Sequence, residues 1–390
     1  MKLKTKYFYW SPFLTPIATP KAVINSAHSL QKFSKQNNCS IINFFGEFNV
    51  FKEELEHNKI NTINYFGKNF INFFPKYGKI KSRLSFIFIF ILSFFPLKRL
   101  LVKEKPNFLI IHLITSLPLF LLLIFNFETK FILRISGLPQ LGVLRKFLWR
   151  ISLKKIYLVT CPTINTMNYI KSLNIVSSEK IQLLYDPVIN IEKIRKNNLI
   201  KNKKNIYKDK KYFLAVGRFT KQKNFTFLCK AFNEITKKYP DLILLIAGDG
   251  EEKNDIQNYI NKNSLEKKIF LIGYVENIFH YMKESEGFIL SSLWEDPGFV
   301  LLEAAFSRTP ILSSNCGNGP IELIKEDFNG ILFDSNNINN FVIKFEKFIN
   351  EKKNSNKLIL NSLKMSKNFT LFSHYLKLNK ILSGLNQSQK

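Results

Sequence analysis

Acidic residues are scarce in this 390-residue chain: 29 Asp and Glu stand against 58 Lys and Arg, a formal charge of +29. The shortage is uneven, since residues 1–190 hold 8 acids against 26 bases and residues 191–390 hold 21 against 32. A face so poor in carboxylates attracts anionic lipid headgroups, phosphorylated substrates or nucleic acid through long-range, salt-screened forces. A genome poor in G and C also enriches Lys, Asn and Ile, so a functional and a compositional reading of the charge stand side by side. Cysteine is scarce too. Cys39, Cys161, Cys229 and Cys316 form no Cys-x-x-Cys pair, which excludes a zinc cluster or disulfide framework as the organising principle and points to a reducing cytoplasm. The basic head of the chain is followed by Pro12 and Pro16 and lacks a small-residue cleavage site, so it reads as a first strand rather than a secretory signal. No repeat of solenoid length is visible, and no acidic tail closes the chain.

What is present is apolar: 46% of residues are hydrophobic, 39 of them Phe, ample for folded cores and far from a disordered composition. The length exceeds what one core usually serves, and two domains are expected. Two apolar runs raise the question of a membrane. Leu84 to Leu97 ends at Lys98-Arg99, short of the roughly 20 residues a spanning helix needs. It reads as a core helix or as a helix lying in the membrane interface, with Lys81, Arg83, Lys98, Arg99, Lys103 and Lys105 as basic flanks. Phe108 to Phe127 contains His112, Thr115, Ser116 and Pro118 and divides into a strand, Phe108 to Ile114, and a helix from Leu117.

From residue 211 onward strands and helices alternate. Strands are expected at Tyr212 to Val216, Leu242 to Ala247, Ile269 to Ile272, Gly287 to Leu290, Pro310 to Ser313 and Gly330 to Phe333, with helices at Asn224 to Tyr239 and from about Glu251. The first half shows the same habit, with strands at Lys6 to Trp10, Ser40 to Phe45, Phe108 to Ile114, Lys130 to Ile135 and Ile156 to Thr160. Repeated strand–helix units imply parallel sheets covered on both faces, hence an α/β protein of two domains, 1–190 and 191–368, with a closing helical segment at 369–390. Ile191 to Lys211, with nine Lys or Arg and two acids, reads as a linker or surface excursion.

Candidate chemistry gathers at strand ends, where open α/β sheets bind ligands. Ser291 to Ala304 follows a strand. Gly298 allows a tight turn, and the amides of Phe299, Val300 and Leu301 open the next helix as an anion site. Glu295 precedes that opening and Glu303 lies about one turn inside it, so two carboxylates flank one phosphate-sized hole. Gly217-Arg218 with Lys223 supplies a forked and a mobile cation at the end of another strand, the pair suited to a departing diphosphate; Arg and Lys in a loop are also common as solvated surface. Gly248-Asp249-Gly250 lacks the full G-x-G-x-x-G spacing. His112, in Ile111-His112-Leu113, reads as a core histidine on its own.

These segments resemble the family 4 glycosyltransferases, retaining enzymes of the GT-B architecture. The likeness rests on Glu295 and Glu303 in the Glu-x7-Glu motif, on Gly217-Arg218 with Lys223, and on Gly317 to Glu322 followed by Asn329 to Phe333. It is clear over residues 211–335 and reaches the first half only through Arg134 to Pro139 and Cys161-Pro162-Thr163. The resemblance implies two Rossmann-like domains facing across a cleft, the last helix crossing back to the first domain. It implies Arg218 and Lys223 on the donor diphosphate, backbone amides at Gly217 and from Gly298 through Leu301 beside it, Glu303 on the ribose, Glu295 on the transferred sugar and His112 near that sugar. No metal or resident cofactor is implied, since the cations do the work of magnesium and no Asp-x-Asp motif stands at a matching strand end; a nucleotide-diphosphate sugar is the co-substrate. The expected acceptor is a lipid-linked or lipopolysaccharide-type glycan, the expected place the cytoplasmic face of the membrane with the chain attached peripherally to its anionic surface, and nucleic acid is not an expected partner. Ser11 to Pro16 departs from the glycine-rich loop of relatives. A glycoside hydrolase using Glu295 and Glu303 would leave the cations and the helix terminus without a purpose; a basic membrane- or nucleic-acid-binding protein on an α/β scaffold is the alternative outside enzymology.

Overall fold

The computed structural model describes residues 4–16, 18–67, 70–75, 79–139, 141–199, 205–350 and 355–387. The chain divides into two compact units. One runs to Val188 and also takes in the closing helix Leu371–Gln387; the other is Ile189–Thr370.

The first unit is built on seven parallel strands: β1 (Thr5–Trp10), β2 (Asn37–Asn43), β3 (Asn61–Asn64), β4 (Phe108–Ile111), β5 (Lys130–Arg134), β6 (Leu158–Cys161) and β7 (Ile181–Leu183), in the spatial order β3-β2-β1-β4-β5-β6-β7. Side chains alternate across the pleat. In β1, Phe8 and Trp10 enter one core while Tyr7 and Tyr9 enter the other, which is why its run of aromatics is continuous rather than alternating. The strand order reverses between β1 and β4, leaving a crevice at their carboxyl ends.

The closing helix packs on the helix Ala18–Phe33, burying Leu378, Ile381 and Leu382 in the core that holds Val23, Ala27 and Leu30. The rings of Phe33 and Phe372 meet edge-on at 5.0 Å. His374 fixes the register: Nδ1 lies 2.8 Å from the Tyr185 carbonyl and Nε2 lies 2.9 Å from Ser26 Oγ. The carbonyl requires the proton on Nδ1, so Ser26 donates to Nε2 and in turn accepts from Tyr9, whose hydroxyl is 3.1 Å away. Burial is the main reason that the His374 pKa falls to about 4.

The second unit carries β8 (Tyr212–Val216), β9 (Ile243–Ala247), β10 (Ile269–Gly273), β11 (Gly287–Leu290), the two-residue β12 (Trp294–Glu295), β13 (Ile311–Ser314), the two-residue β14 (Gly317–Asn318) and β15 (Ile331–Phe333). Its six-stranded parallel sheet is ordered β10-β9-β8-β11-β13-β15, and β12 pairs separately with β14. Here the order reverses between β8 and β11. A core rich in phenylalanine, including Phe213, Phe232, Phe341 and Phe345, fills the space beneath the helices Phe225–Lys238 and Ile338–Asn350.

Three expectations need correction. Phe108 to Ile114 is not one strand: β4 ends at Ile111, and Ile114 takes a φ of 46° that no strand accommodates. Ile191 to Lys211 is not simply a linker. Ile191–Leu199 is helical, and buried Asn205 donates to Tyr212 Oη at 2.9 Å and Glu284 Oε2 at 2.8 Å; residues 200–204 lie outside the described residues. Leu84 to Leu97 belongs to a 26-residue helix, Lys79–Glu104, that continues through Pro96 and the Lys98-Arg99 pair. Its stretch Arg83–Glu104 is long and apolar enough to span a bilayer, yet it sets Ile89, Leu97 and Leu101 into the core of the first unit.

Candidate active site

The reversal of strand order in the second unit brings together the loops that leave β8 and β11. Ser291 Oγ donates to the Lys223 carbonyl at 2.8 Å, Leu293 N to the Gln222 carbonyl at 2.8 Å, and Gln222 Nε2 to the Trp294 carbonyl at 2.8 Å. Thus the loop carrying the cations and the loop carrying the carboxylate form one hydrogen-bonded body. The loop after β13 joins it through the β12–β14 pair, in which Glu295 stands beside Asn318, and through Ser314 Oγ, 2.7 Å from the Ser292 carbonyl. Gly319 is required there, since a Cβ would fall 1.9 Å from the Pro297 carbonyl oxygen.

Glu295 is the hub. Its Oε1 accepts from Lys223 Nζ at 2.5 Å and from Ser292 Oγ at 2.6 Å, with the two charged side chains 6% and 14% exposed. Lys223 reaches it by crossing the backbone at Gly217, where a Cβ would lie 2.9 Å from Lys223 Cε. An ammonium has three N–H donors and a carboxylate two oxygens, so the pair retains donors on Lys223 and Oε2 on Glu295 for a ligand. The buried Cys316 thiol senses both charges. Burial first, then Glu295, raises its pKa to about 11 against the opposing pull of Ser314 and Lys223, which leaves it protonated and inert.

Arg218 is exposed one residue beyond Gly217 and has no carboxylate partner among the described residues. Gly298 takes φ 93° and ψ 72° at the start of the helix Phe299–Phe306, a left-handed conformation that favours glycine. Phe299 and Val300 occupy the first turn, where helical amides lack an i−4 acceptor. Leu301 is a correction: its N–H donates to the Gly298 carbonyl at 3.0 Å. Glu303 lies further along the same helix, half-buried. The Gly248-Asp249-Gly250 loop serves packing, since a Cβ at Gly248 would sit 1.8 Å from the Gly217 carbonyl oxygen; it holds the β8 loop in place.

Arg218, Lys223, Glu295, Gly217, Gly298, Phe299, Val300 and Glu303 therefore share one end of one sheet. His112 belongs to the other unit, at the carboxyl end of β4, with its ring 6.2 Å from that of Tyr9. Burial, then Arg134 and His374, hold its pKa well below the usual histidine value. Ser292 and Cys316 were not singled out as site residues by the sequence; the only signal was that each stands two positions past the end of a strand, β11 and β13.

Residues 196–365 match the family described as glycosyl transferases group 1. The whole fold is that of the GT-B glycosyltransferases: a glycosyltransferase of Rickettsia africae superposes with a TM-score of 0.74 at 17% identity, covering 98% of each chain. Among curated proteins, an uncharacterized glycosyltransferase of Methanocaldococcus jannaschii is 38% identical over 139 residues, 36% of this chain and 34% of the relative. The UDP-Gal:alpha-D-GlcNAc-diphosphoundecaprenol alpha-1,3-galactosyltransferase of Escherichia coli is 34% identical over 177 residues, 45% of this chain and 41% of the relative. The chain thus spans between a third and a half of the length of these curated relatives.

Proposed function

We propose that this chain is a retaining, metal-independent glycosyltransferase that moves a sugar from a nucleoside-diphosphate donor onto a glycan or lipid-linked acceptor while attached peripherally to the cytoplasmic face of a membrane. The observation that carries the reading is the Lys223–Glu295 pair in the strand-end loops of one sheet, with Arg218, unpaired among the described residues, next to Gly217 in the chain and the glycine-started helix at Phe299 opening beside Glu295. Such a set is aimed at a diphosphate.

As the bond from the sugar to the diphosphate breaks, negative charge grows on the leaving group and positive charge on the anomeric carbon. Arg218, the remaining donors of Lys223 and the amides of Phe299 and Val300 stabilise the first; losing one such donor typically costs about 3 kcal/mol of barrier. Glu295 orients the transferred sugar through Oε2, and Glu303 takes the ribose hydroxyls. Retention follows from attack by the acceptor on the face that the diphosphate leaves. The two cations take the place of a metal, and no resident cofactor is needed. The E. coli relative, by its name, uses a UDP-sugar and an undecaprenol-linked acceptor, which supports this class of donor and acceptor here.

The test is a screen of purified protein against UDP-, GDP-, ADP- and dTDP-sugars by thermal shift and nucleotide release, with Glu303→Ala as control. One donor that stabilises the wild type and not the variant supports the reading; no response to any donor sinks it.

A further inference from the structure

The first unit exposes many large apolar side chains, several of them on two helices. In the helix Lys79–Glu104, Ser85, Ile89, Ser93, Leu97 and Leu101 are buried, and at about 100° per residue they fan over one half of its circumference. Leu84, Ile87, Phe88, Ile91, Phe95 and Val102 fall on the other half, all 49–62% exposed. Single exposed apolar residues are ordinary; a contiguous stripe marks an interaction surface. The helix Val143–Ser152 does the same, burying Trp149 while Val143, Leu144 and Phe147 are 63–87% exposed.

Between these two helices and the loops after β1 and β4 opens a pocket of about 820 Å³. Phe13, Phe86, Phe90, Ile114, Leu144 and Leu148 supply apolar wall, while Arg145 and the hydroxyl residues Thr15, Thr19, Thr115 and Ser116 are the polar part of the lining. The pocket lies at the β1/β4 reversal of strand order, where α/β sheets take ligands. Among the described residues no carboxylate lines it. Residues 58–178 contain 18 Lys or Arg and only two acids, Glu104 and Glu128, each already paired, with Lys6 at 3.5 Å and Lys105 at 2.5 Å.

We propose that this pocket takes the hydrocarbon chain of a phosphate-bearing amphiphile, with Arg145 at the phosphate. The proposal rests on the glycosyl-transfer reading and names the apolar half of its acceptor. An apolar recess whose lining carries Arg145 and no carboxylate matches an apolar tail under an anionic head. A second copy of this chain would set the same acid-poor, basic segment against itself, and a peptide would strand backbone amides against walls that offer few partners.

The test is calorimetric binding of octyl, decyl and dodecyl phosphate to the full chain, each kept below its micellar concentration. Affinity is expected to rise about fourfold for each added methylene. Dodecyl maltoside, of equal chain length but uncharged, should bind at least about tenfold more weakly than dodecyl phosphate. Ile87→Glu and Leu144→Glu alter exposed side chains and should each weaken alkyl phosphate binding at least about tenfold, while Ile343→Glu, at an exposed site on the second unit, should not. Affinity independent of chain length, full affinity in both variants, or a dimer in sedimentation that both variants abolish would overturn the proposal. Donor-induced thermal shift is measured on the same variants: its retention while alkyl phosphate fails to bind rejects the pocket alone, whereas its absence from the wild type rejects the glycosyltransferase reading.

Discussion

Lys223 and Glu295 are 72 positions apart in the chain and 2.5 Å apart in space, and their ion pair ties the end of β8 to the end of β11. Breaking a buried pair strands the surviving charge, at a cost of about 3–5 kcal/mol. Lys223→Ala should therefore lower both the melting temperature and turnover, the latter at least about a hundredfold. Lys223→Met combined with Glu295→Gln should recover stability and leave turnover low. Melting and nucleotide release on the single and double variants check this; a double variant as unstable as the single one would show that the stranded charge is not the cause of the loss.

Arg218 makes the opposite prediction, because it is exposed and unpaired. Arg218→Ala should shift stability by no more than about 0.5 kcal/mol while lowering turnover about a hundredfold. Denaturant midpoints and steady-state rates separate the two effects, and an unchanged rate would remove Arg218 from the diphosphate.

The glycines sort by what their missing Cβ would strike. Gly319→Ala must move backbone at Pro297, so donor binding should be lost along with stability. Gly217→Ala meets only the flexible end of Lys223; the domain should fold, with Lys223 displaced from Glu295 and turnover reduced. Equal destabilisation of the two variants in urea would contradict this ordering.

His374 gives the pH dependence of the first unit. Its folded pKa, about 4, lies below the unfolded value of about 6.5, so the unfolded chain binds the extra proton in that window. Stability is full above pH 6.5 and falls as pH drops towards 4, by up to about 3 kcal/mol for this group. His112, also lowered, acts in the same direction. Buried Glu47, raised to about 7 chiefly by desolvation, opposes them, since its folded form holds a proton that the unfolded chain releases above about pH 4.5. His374→Gln should flatten the loss of melting temperature between pH 7 and pH 5 relative to the wild type; an identical slope would place the titration elsewhere.

The central strands were legible because burial on both faces leaves an apolar run bounded by polar turns, as in β8 and β11. β3 was not: Asn61–Asn64 lies at the sheet edge and is largely exposed, so its residues carry no hydrophobic signal. β7, β12 and β14 are two or three residues long, too short for periodicity to register. The long helix Lys79–Glu104 was cut short in the reading because Lys98 and Arg99 look like a terminus, whereas Lys98 lies over the Phe125 ring at 4.1 Å and the apolar pattern resumes at Leu100. At the site, residue types at strand ends disclosed Arg218, Lys223, Glu295 and Glu303. The ion pair, the passage of Lys223 over Gly217 and the Ser292 hydrogen bond depend on contacts across loops, which local sequence does not encode.

The closing helix Leu371–Gln387 also orders events during synthesis. The second unit is one uninterrupted stretch, so all of its strands are available before that helix is made. The first unit needs Leu378, Ile381 and Leu382 to complete a core begun some 350 residues earlier. The first unit is thus sealed only after the second has been translated, and until then the face formed by Val23, Ala27 and Leu30 lacks its cover.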